Sequence, residues 1–166
     1  KPLIGCSETE EIEKIKNTEA NVISALGVIE HLREPNKFFE AFKDSRSKYL
    51  FYSVPMFSMS TIFENIFSGI FPRQLSGGHT HLFTEESIKM MHNICDVKPI
   101  AEWRFGTDMI DLYRSMKISL DKNNCSERVT RYLDNSFYKN IDDLQNTLDE
   151  SHFCSEIHIV AEKQKF

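Results

Sequence analysis

His79 and His81 are separated by a single residue. Of all side chains in this sequence, theirs are the best suited to acid–base chemistry. They follow a pair of glycines and precede Thr84, which is placed to begin a helix. A neutral imidazole can accept a proton from a substrate hydroxyl as that hydroxyl attacks an electrophile. We therefore predict His79 and His81 as catalytic residues. The alternative is that they only brace the loop that leads into the helix.

A second candidate site lies in the stretch NVISALGVIEHL, residues 21–32. A short apolar run ends at Gly27, and an acid and an imidazole, Glu30 and His31, follow at once. A glycine at the carboxyl end of a strand has no side chain, so a ligand can approach the backbone there. We predict a ligand site at this turn, although Glu30 and His31 could instead tie the loop to the next helix.

The same residues offer possible metal ligands. His79, His81 and Glu30 carry ligand types that zinc accepts, but two histidines and one acid are weak evidence, and no metal is expected. The cysteines form no CxxC pair, so we interpret them as reduced structural thiols, which favours a cytoplasmic location. They are Cys6, Cys95, Cys125 and Cys154.

Length and composition limit the kind of protein. The chain has 166 residues, 40% of them hydrophobic, which suits one globular domain with a real core. A formal net charge of -5 argues against nucleic acid or an anionic membrane as the main partner. No run of about 18 apolar residues is present, so no membrane span is expected.

Strand and helix patterns alternate along most of the chain. Apolar β-branched runs predict strands, and amphipathic segments with Pro35 or Thr84 at their start predict helices. Alternation of this kind predicts an α/β fold with a largely parallel sheet. The predicted strands are 3–6, 22–26, 49–54, 97–105 and 156–162, the second one covered on both faces, and the predicted helices are 8–17, 35–46 and 84–94.

Two stretches do not fit this alternation and are predicted as helical insertions in a single domain spanning 1–166. In the first, at about 56–78, three phenylalanines recur at every fourth position, which indicates a helix. The second lies at about 109–150, and its residues 126–150 show the apolar spacing of an amphipathic helix or helix pair. Near the second insertion, Trp103 is expected in the core, and Arg104 or Asp108 could orient a polar substrate.

Three segments together resemble class I S-adenosylmethionine-dependent methyltransferases. NVISALGVIEHLREPNKFFEAF is similar to the fourth-strand segment of that family, and KYLFYSVP is similar to its fifth strand. GGHTHLFTEESIKMM resembles a segment of the small-molecule branch, which includes ubiquinone-type and sugar methyltransferases. The resemblance covers roughly residues 20–105. It implies a Rossmann-like sheet, mostly parallel, with an antiparallel last strand.

The resemblance also implies a cofactor, S-adenosylmethionine, and a reaction. Leu26, Gly27 and Val28 would lie beside the methionine part of the cofactor and contact it mostly through the backbone, with Glu30 and His31 next to them. The implied reaction is methyl transfer to a small-molecule acceptor. A histidine base favours oxygen as the atom that receives the methyl group.

This sequence departs from the family in one respect. The glycine-rich loop of the DxGxGxG type and the ribose-binding acid of the second strand are not found, and Gly5 stands alone. By the resemblance, residues 3–6 would be the third strand, and the chain would match the carboxyl-terminal two-thirds of a methyltransferase without its N-terminal strands. We therefore expect weak cofactor binding by these residues alone. The alternative function is a non-catalytic binding or assembly module.

The strand at 21–27 would then form an exposed edge of the sheet, which invites pairing with another strand. Residues 3–6 could substitute for the missing neighbour, a second copy could pair edge to edge as a homodimer, or further strands could exist beyond the given sequence. The third alternative is the one we expect, because the helices and the site segment suit a complete sheet.

Overall fold

A computed structural model describes residues 8–75 and 78–164 of the chain, so the strand predicted at 3–6 lies outside the described residues. The chain divides into two compact units. The first comprises residues 1–54, 83–103 and 158–166, and the second comprises 55–82 and 104–157. Both stretches predicted as insertions fall mainly in the second unit, and their attachment to a single domain stays a prediction. Within the described ranges, no helix is long and apolar enough to cross a membrane.

The observed elements follow the predicted alternation closely. The strands are β1 (Val22–Ala25), β2 (Tyr49–Pro55), β3 (Val97–Phe105) and β4 (Glu156–Lys163). The helices are α1 (Glu8–Lys16), α2 (Pro35–Asp44), α3 (Met59–Ile66), α4 (Glu85–Cys95), α5 (Asp108–Lys122), α6 (Glu127–Ser136) and α7 (Ile141–Glu150), with 3-10 turns at Ile29–His31 and Tyr138–Asn140.

The four strands form one sheet in the order β1-β2-β4-β3. β1 and β2 are parallel, with Val22 opposite Tyr49 and Ala25 opposite Tyr52. The last strand runs the other way, because the N–H of Lys163, at its end, donates to the carbonyl of Lys48, just before β2, at 2.9 Å.

The other neighbour of β4 confirms this direction. The N–H of Gln164, just after β4, donates to the carbonyl of Asp96, just before β3, at 2.9 Å. β3 is therefore antiparallel to β4 and parallel to β1 and β2. The prediction of an α/β fold, mostly parallel with an antiparallel last strand, is confirmed.

The core of the first unit lies between the sheet and helices α2 and α4. Phe39 of α2 packs edge-on against Tyr52 of β2, with ring centroids 6.2 Å apart, and both side chains are buried. Pro35 occupies the first turn of α2, as predicted. Burial of the apolar side of α2 holds this helix on the sheet, because burying one large side chain contributes about 1.5–3 kcal/mol.

The start of α4 is fixed by its own first turn. Thr84 is the N-cap, and its hydroxyl accepts from the N–H of Ser87 at 3.3 Å while the Ser87 hydroxyl accepts from the N–H of Thr84 at 2.9 Å. Phe83 and Ile88 are both buried on either side of this cap. The predicted cap is therefore present, and Phe83 and Ile88 occupy the two positions of a hydrophobic staple.

Two burial predictions were wrong, and both concern strands at the ends of the strand order. β1 is not covered on both faces, since Val22 is 50% exposed and Ala25 is the one β1 residue in the buried class. Trp103 is 62% exposed rather than in the core. Its ring lies 5.6 Å from that of His158, which in turn lies 6.0 Å from that of Phe51, so the three rings form a row across β3, β4 and β2.

The second unit has a helical core of its own. Phe63, Met109 and Ile141, from α3, α5 and α7, form its buried centre. The predicted helix pair is present as α6 and α7, and the break between them is the Tyr138–Asn140 turn. α3 ends at Ile66, so the helical spacing of phenylalanines continues past the helix itself.

Candidate functional site

The predicted cofactor segment forms a tight turn in the first unit, directly after β1. Gly27 has φ +61, a left-handed conformation that side chains other than glycine adopt at a cost. The 3-10 turn Ile29–His31 follows, in which the N–H of His31 donates to the carbonyl of Val28 at 3.1 Å. Ile29 is fully buried and anchors the turn to the core.

A side chain from the neighbouring strand holds this turn. The N–H of Gly27 donates to Ser53 Oγ at 2.9 Å, and Ser53 is buried near the carboxyl end of β2. Leu26 and Val28, on either side of Gly27, are 44% and 38% exposed. Residues 26–28 are therefore exposed, and the N–H of Gly27 is already donated to Ser53, so a ligand would meet Gly27 through its carbonyl or its Cα.

Glu30 and His31 differ in their placement. Glu30 is buried, and its Oε1 lies 3.8 Å from the position that a Cβ on Gly27 would occupy. The His31 side chain is 44% exposed, with Nε2 at 3.8 Å from Glu30 Oε1, beyond normal hydrogen-bond distance. This placement fits the alternative in which Glu30 supports the turn. Cofactor contact by either side chain stays a prediction.

The predicted catalytic histidines lie in the second unit, and His79 has a defined ring orientation. His79 Nδ1 is 3.3 Å from the carbonyl oxygen of Gln74. A carbonyl oxygen only accepts, so Nδ1 carries the hydrogen, and in the neutral ring Nε2 then carries the lone pair. This is the tautomer that a general base acting through Nε2 needs.

Gln74 is itself fixed by the carboxylate of Glu64. Glu64 Oε1 accepts from the N–H of Gln74, and Oε2 accepts from the N–H of Leu75 at 2.9 Å. On its other side, the guanidinium of Arg73 donates to Asp111 Oδ2, and the Asp111 side chain is almost fully buried. The loop that carries His79 is therefore held by two acids of α3 and α5.

His81 has a less defined role. Its Nδ1 lies 2.8 Å from Thr80 Oγ1, and a hydroxyl can donate or accept, so this contact does not fix the tautomer. Both histidines are partly buried. Of the two, His79 has the geometry better suited to proton transfer, and a catalytic role for either stays a prediction.

Asp108 cannot orient a substrate, because it is fully buried. Its Oδ1 accepts from Ser58 Oγ at 2.6 Å and from the N–H of Ser60 at 2.8 Å, and its Oδ2 accepts from Gln145 Nε2 at 3.3 Å. A carboxylate satisfied by three donors ties α3, α5 and α7 together. The prediction of a substrate-orienting role was wrong for this residue.

A buried tyrosine–histidine pair lies in the first unit. Tyr52 OH and His92 Nε2 are 2.8 Å apart. Burial lowers the pKa of His92, with Glu102 opposing it, so His92 is neutral and accepts from the Tyr52 hydroxyl. Burial also raises the pKa of Tyr52, which keeps that hydroxyl protonated.

Cys95 and Cys154 are placed as structural residues, whereas Cys125 is exposed and Cys6 lies outside the described residues. Cys95, Cys125 and Cys154 are free thiols, and Cys95 and Cys154 are buried. Burial raises the pKa of Cys95 to about 12, and it also raises the pKa of Cys154. A thiol held protonated is a poor nucleophile and a poor metal ligand.

The sequence reasoning did not single out Ser53, Glu64 or Gln74, which fix the two candidate segments. Ser53 had a detectable signal, since it is a hydroxyl near the end of an otherwise apolar strand, in LFYSVP. Glu64 gave no signal, because its partners are backbone N–H groups distant along the chain.

No protein-family model matches the sequence, and a search of curated proteins found no match. Solved structures do match. The small RNA methyltransferase HEN1 matches at 12% identity and TM-score 0.49, over 88% of this chain and 14% of that one. A SAM-dependent methyltransferase from Archaeoglobus fulgidus matches at 17% identity and TM-score 0.46, over 92% of this chain and 64% of that one.

The [4+2]-cyclase SpnF matches at 8% identity and TM-score 0.43, over 90% of this chain and 53% of that one. This chain therefore spans less than two thirds of each of the three proteins. At such identities and TM-scores, we draw nothing about activity from these likenesses.

Proposed function

We propose that this chain is part of a class I S-adenosylmethionine-dependent methyltransferase that methylates an oxygen of a small-molecule acceptor. The observation that carries the proposal is the turn after β1. There, Gly27 adopts a positive φ at the carboxyl edge of a parallel strand pair, and the residues on both sides of it are exposed. Ligands of open α/β sheets bind at such edges.

The residues at this turn fit the methionine part of the cofactor. The resemblance assigns Leu26, Gly27 and Val28 to backbone contact, and the chain at these positions is accessible and free of a side chain at its centre. Ser53 and Ile29 hold the turn in place before any ligand arrives. A preformed turn lowers the entropy that binding must overcome.

His79 serves as the base in this proposal. When bound, S-adenosylmethionine supplies a methyl group activated by a positively charged sulfur. His79 accepts the proton of the acceptor hydroxyl through Nε2, while the Gln74 carbonyl accepts from the Nδ1–H and steadies the ring. A positioned general base contributes about 10²–10⁴-fold to rate, and the rest comes from orientation and exclusion of water.

Cofactor binding by the chain can be tested directly with S-adenosylhomocysteine, the demethylated cofactor. Because the glycine-rich loop is not found in these residues, we expect weak binding that nuclear magnetic resonance detects at about millimolar ligand. The backbone amides of Leu26, Gly27 and Val28 should shift in a 15N-labelled sample. ATP, which has the adenosine but not the amino acid, should leave them unchanged.

Two glycines allow a matched control. Gly27 and Gly69 have φ +61 and +70, so a valine strains the backbone equally at either position. Gly27→Val should abolish the shifts, and Gly69→Val should keep them. If the wild-type amides at 26–28 do not respond to S-adenosylhomocysteine, the proposal fails and the non-catalytic binding module becomes the better hypothesis.

A further inference from the structure

An apolar cleft opens between α5 and α6 in the second unit. Its volume is about 420 Å³, within the range of about 300–1,000 Å³ that is typical of small-molecule sites. Met116 and Leu120 of α5 form one wall, and Val129 and Leu133 of α6 form the other. We call this space the α5–α6 cleft.

α5 and α6 are joined by the short connection 123–126, and side-chain contacts hold the two helices together again further along. Tyr113 OH donates to Asp134 Oδ1 at 2.5 Å, and Lys117 Nζ lies 3.2 Å from the same oxygen. The ring of Tyr113 also stacks on Phe137, with centroids 6.5 Å apart. These contacts anchor the last turns of α6.

The first turns of α6 keep their apolar side chains in solvent. No residue of α6 is fully buried, Val129 is 47% exposed and Tyr132 is 75% exposed. A surface helix normally buries its apolar side against the protein. The apolar side of α6 is therefore available to a ligand in the α5–α6 cleft.

Two guanidinium groups lie beside the cleft. A second cavity of about 440 Å³ shares Val129 and Tyr132 with it and is lined further by Arg128, Arg131 and Asn135. The one acid of the later half of α6, Asp134, is already engaged by Tyr113 and Lys117. An apolar space with two adjacent cations complements a molecule that has an apolar chain and an anionic head group.

We infer that the α5–α6 cleft binds a free amphipathic anion, a medium-length aliphatic or aromatic chain that ends in a carboxylate or similar acid. The chain lies between Leu120 and Leu133, and the acid meets Arg128 and Arg131. We assign the ligand as a dissolved small molecule, because the volume of the cleft suits one molecule of this size. This site is independent of the methyl-transfer proposal.

Dodecanoate is a suitable probe, and dodecyltrimethylammonium has the same chain with the opposite charge. Titration calorimetry of the full chain, below the micelle concentration of each probe, should show saturable binding of one dodecanoate. The cationic probe should bind at least tenfold more weakly. Equal affinity for both would overturn the role of the arginines and with it the proposal.

Variants locate the site. Leu133→Trp fills the cleft and should weaken dodecanoate binding at least tenfold, whereas Ile66→Trp, on an exposed position of α3, should not. If Leu133→Trp does not fold, as judged by circular dichroism, Leu120→Phe replaces it. Unchanged affinity in a folded cleft variant would contradict the proposal.

The head-group contact has its own test. The double variant Arg128→Gln and Arg131→Gln should weaken dodecanoate binding about fivefold at low salt, and added salt should reduce this difference. Lys89→Gln combined with Lys98→Gln removes two exposed charges of the first unit and should have no effect. If the protein sediments with phosphatidylserine vesicles in a way that depends on the arginines, and does not bind dissolved dodecanoate, then this surface binds membranes. That result would overturn the inference.

Discussion

The backbone N–H of Gly27 donates to Ser53 Oγ at 2.9 Å, so a hydroxyl of β2 holds the turn that follows β1. Ser53→Ala leaves this N–H without its acceptor and should lower the free energy of unfolding by about 1 kcal/mol. Hydrogen exchange of the Gly27 amide should become faster. Ser24→Ala, at an exposed position of β1, is the control, and equal protection of Gly27 in both variants would contradict the prediction.

The loop before His79 should depend on the carboxylate of Glu64. Glu64→Gln keeps one carbonyl oxygen but loses the second acceptor, so the amides of Gln74 and Leu75 should exchange measurably faster. Glu34→Gln is the matched control, because the Glu34 side chain is exposed and pairs with Lys37 in the first turn of α2. If the amides of Gln74 and Leu75 exchange equally slowly in both variants, other contacts hold the loop and the prediction is wrong.

In its neutral form, His79 should be the Nδ1–H tautomer, because its Nδ1 faces a carbonyl oxygen. Long-range ¹H–¹⁵N correlation spectra distinguish the two ring nitrogens and can measure this directly. His81, whose partner is a hydroxyl, serves as the internal comparison and has no imposed preference. A His79 ring protonated at Nε2 would remove the orientation on which its role as a base depends.

Acid should destabilise the first unit through His92. Burial lowers the pKa of His92 in the folded protein below its ordinary 6.5, so the unfolded chain binds the proton more tightly. Stability is therefore lost as the pH falls through 6.5 toward the lower folded pKa. Urea titrations at a series of pH values should show this loss.

The variant His92→Gln should flatten the pH dependence, because it removes the titrating group. His152→Gln, at an exposed position, should keep the wild-type slope. If the slopes of the two variants are equal, some other group causes the acid sensitivity.

Local signals explain why most of the elements could be predicted. Pro35 and Thr84 mark helix starts by backbone chemistry that needs no tertiary contact, and both lie where expected. In β4, burial alternates along the strand, with Ile157, Ile159 and Ala161 buried at every second position. Such patterns depend on residues that are close together in the sequence, so they can be recognised from the sequence without knowledge of the fold.

Burial at the sheet ends could not be predicted, because it depends on what lies beside the strand. An apolar run such as VISA reads the same whether a strand is central or at an edge, and Trp103 is apolar wherever it lies. The two candidate segments differ in the same respect. Gly27 was predictable from its position after a strand, whereas Glu64 binds N–H groups that become neighbours only in the folded loop.

Trp103 is the only tryptophan of the sequence, and its indole lies on an exposed stretch of sheet beside His158. Indole emission depends on how much water surrounds the ring. Its emission maximum in the folded protein should therefore already lie close to that of the unfolded chain, and intrinsic fluorescence will report unfolding poorly. Any strand, helix or second molecule that covers the row Phe51–His158–Trp103 would shift the emission to the blue, which makes the same fluorophore a built-in sensor of docking on this part of the sheet.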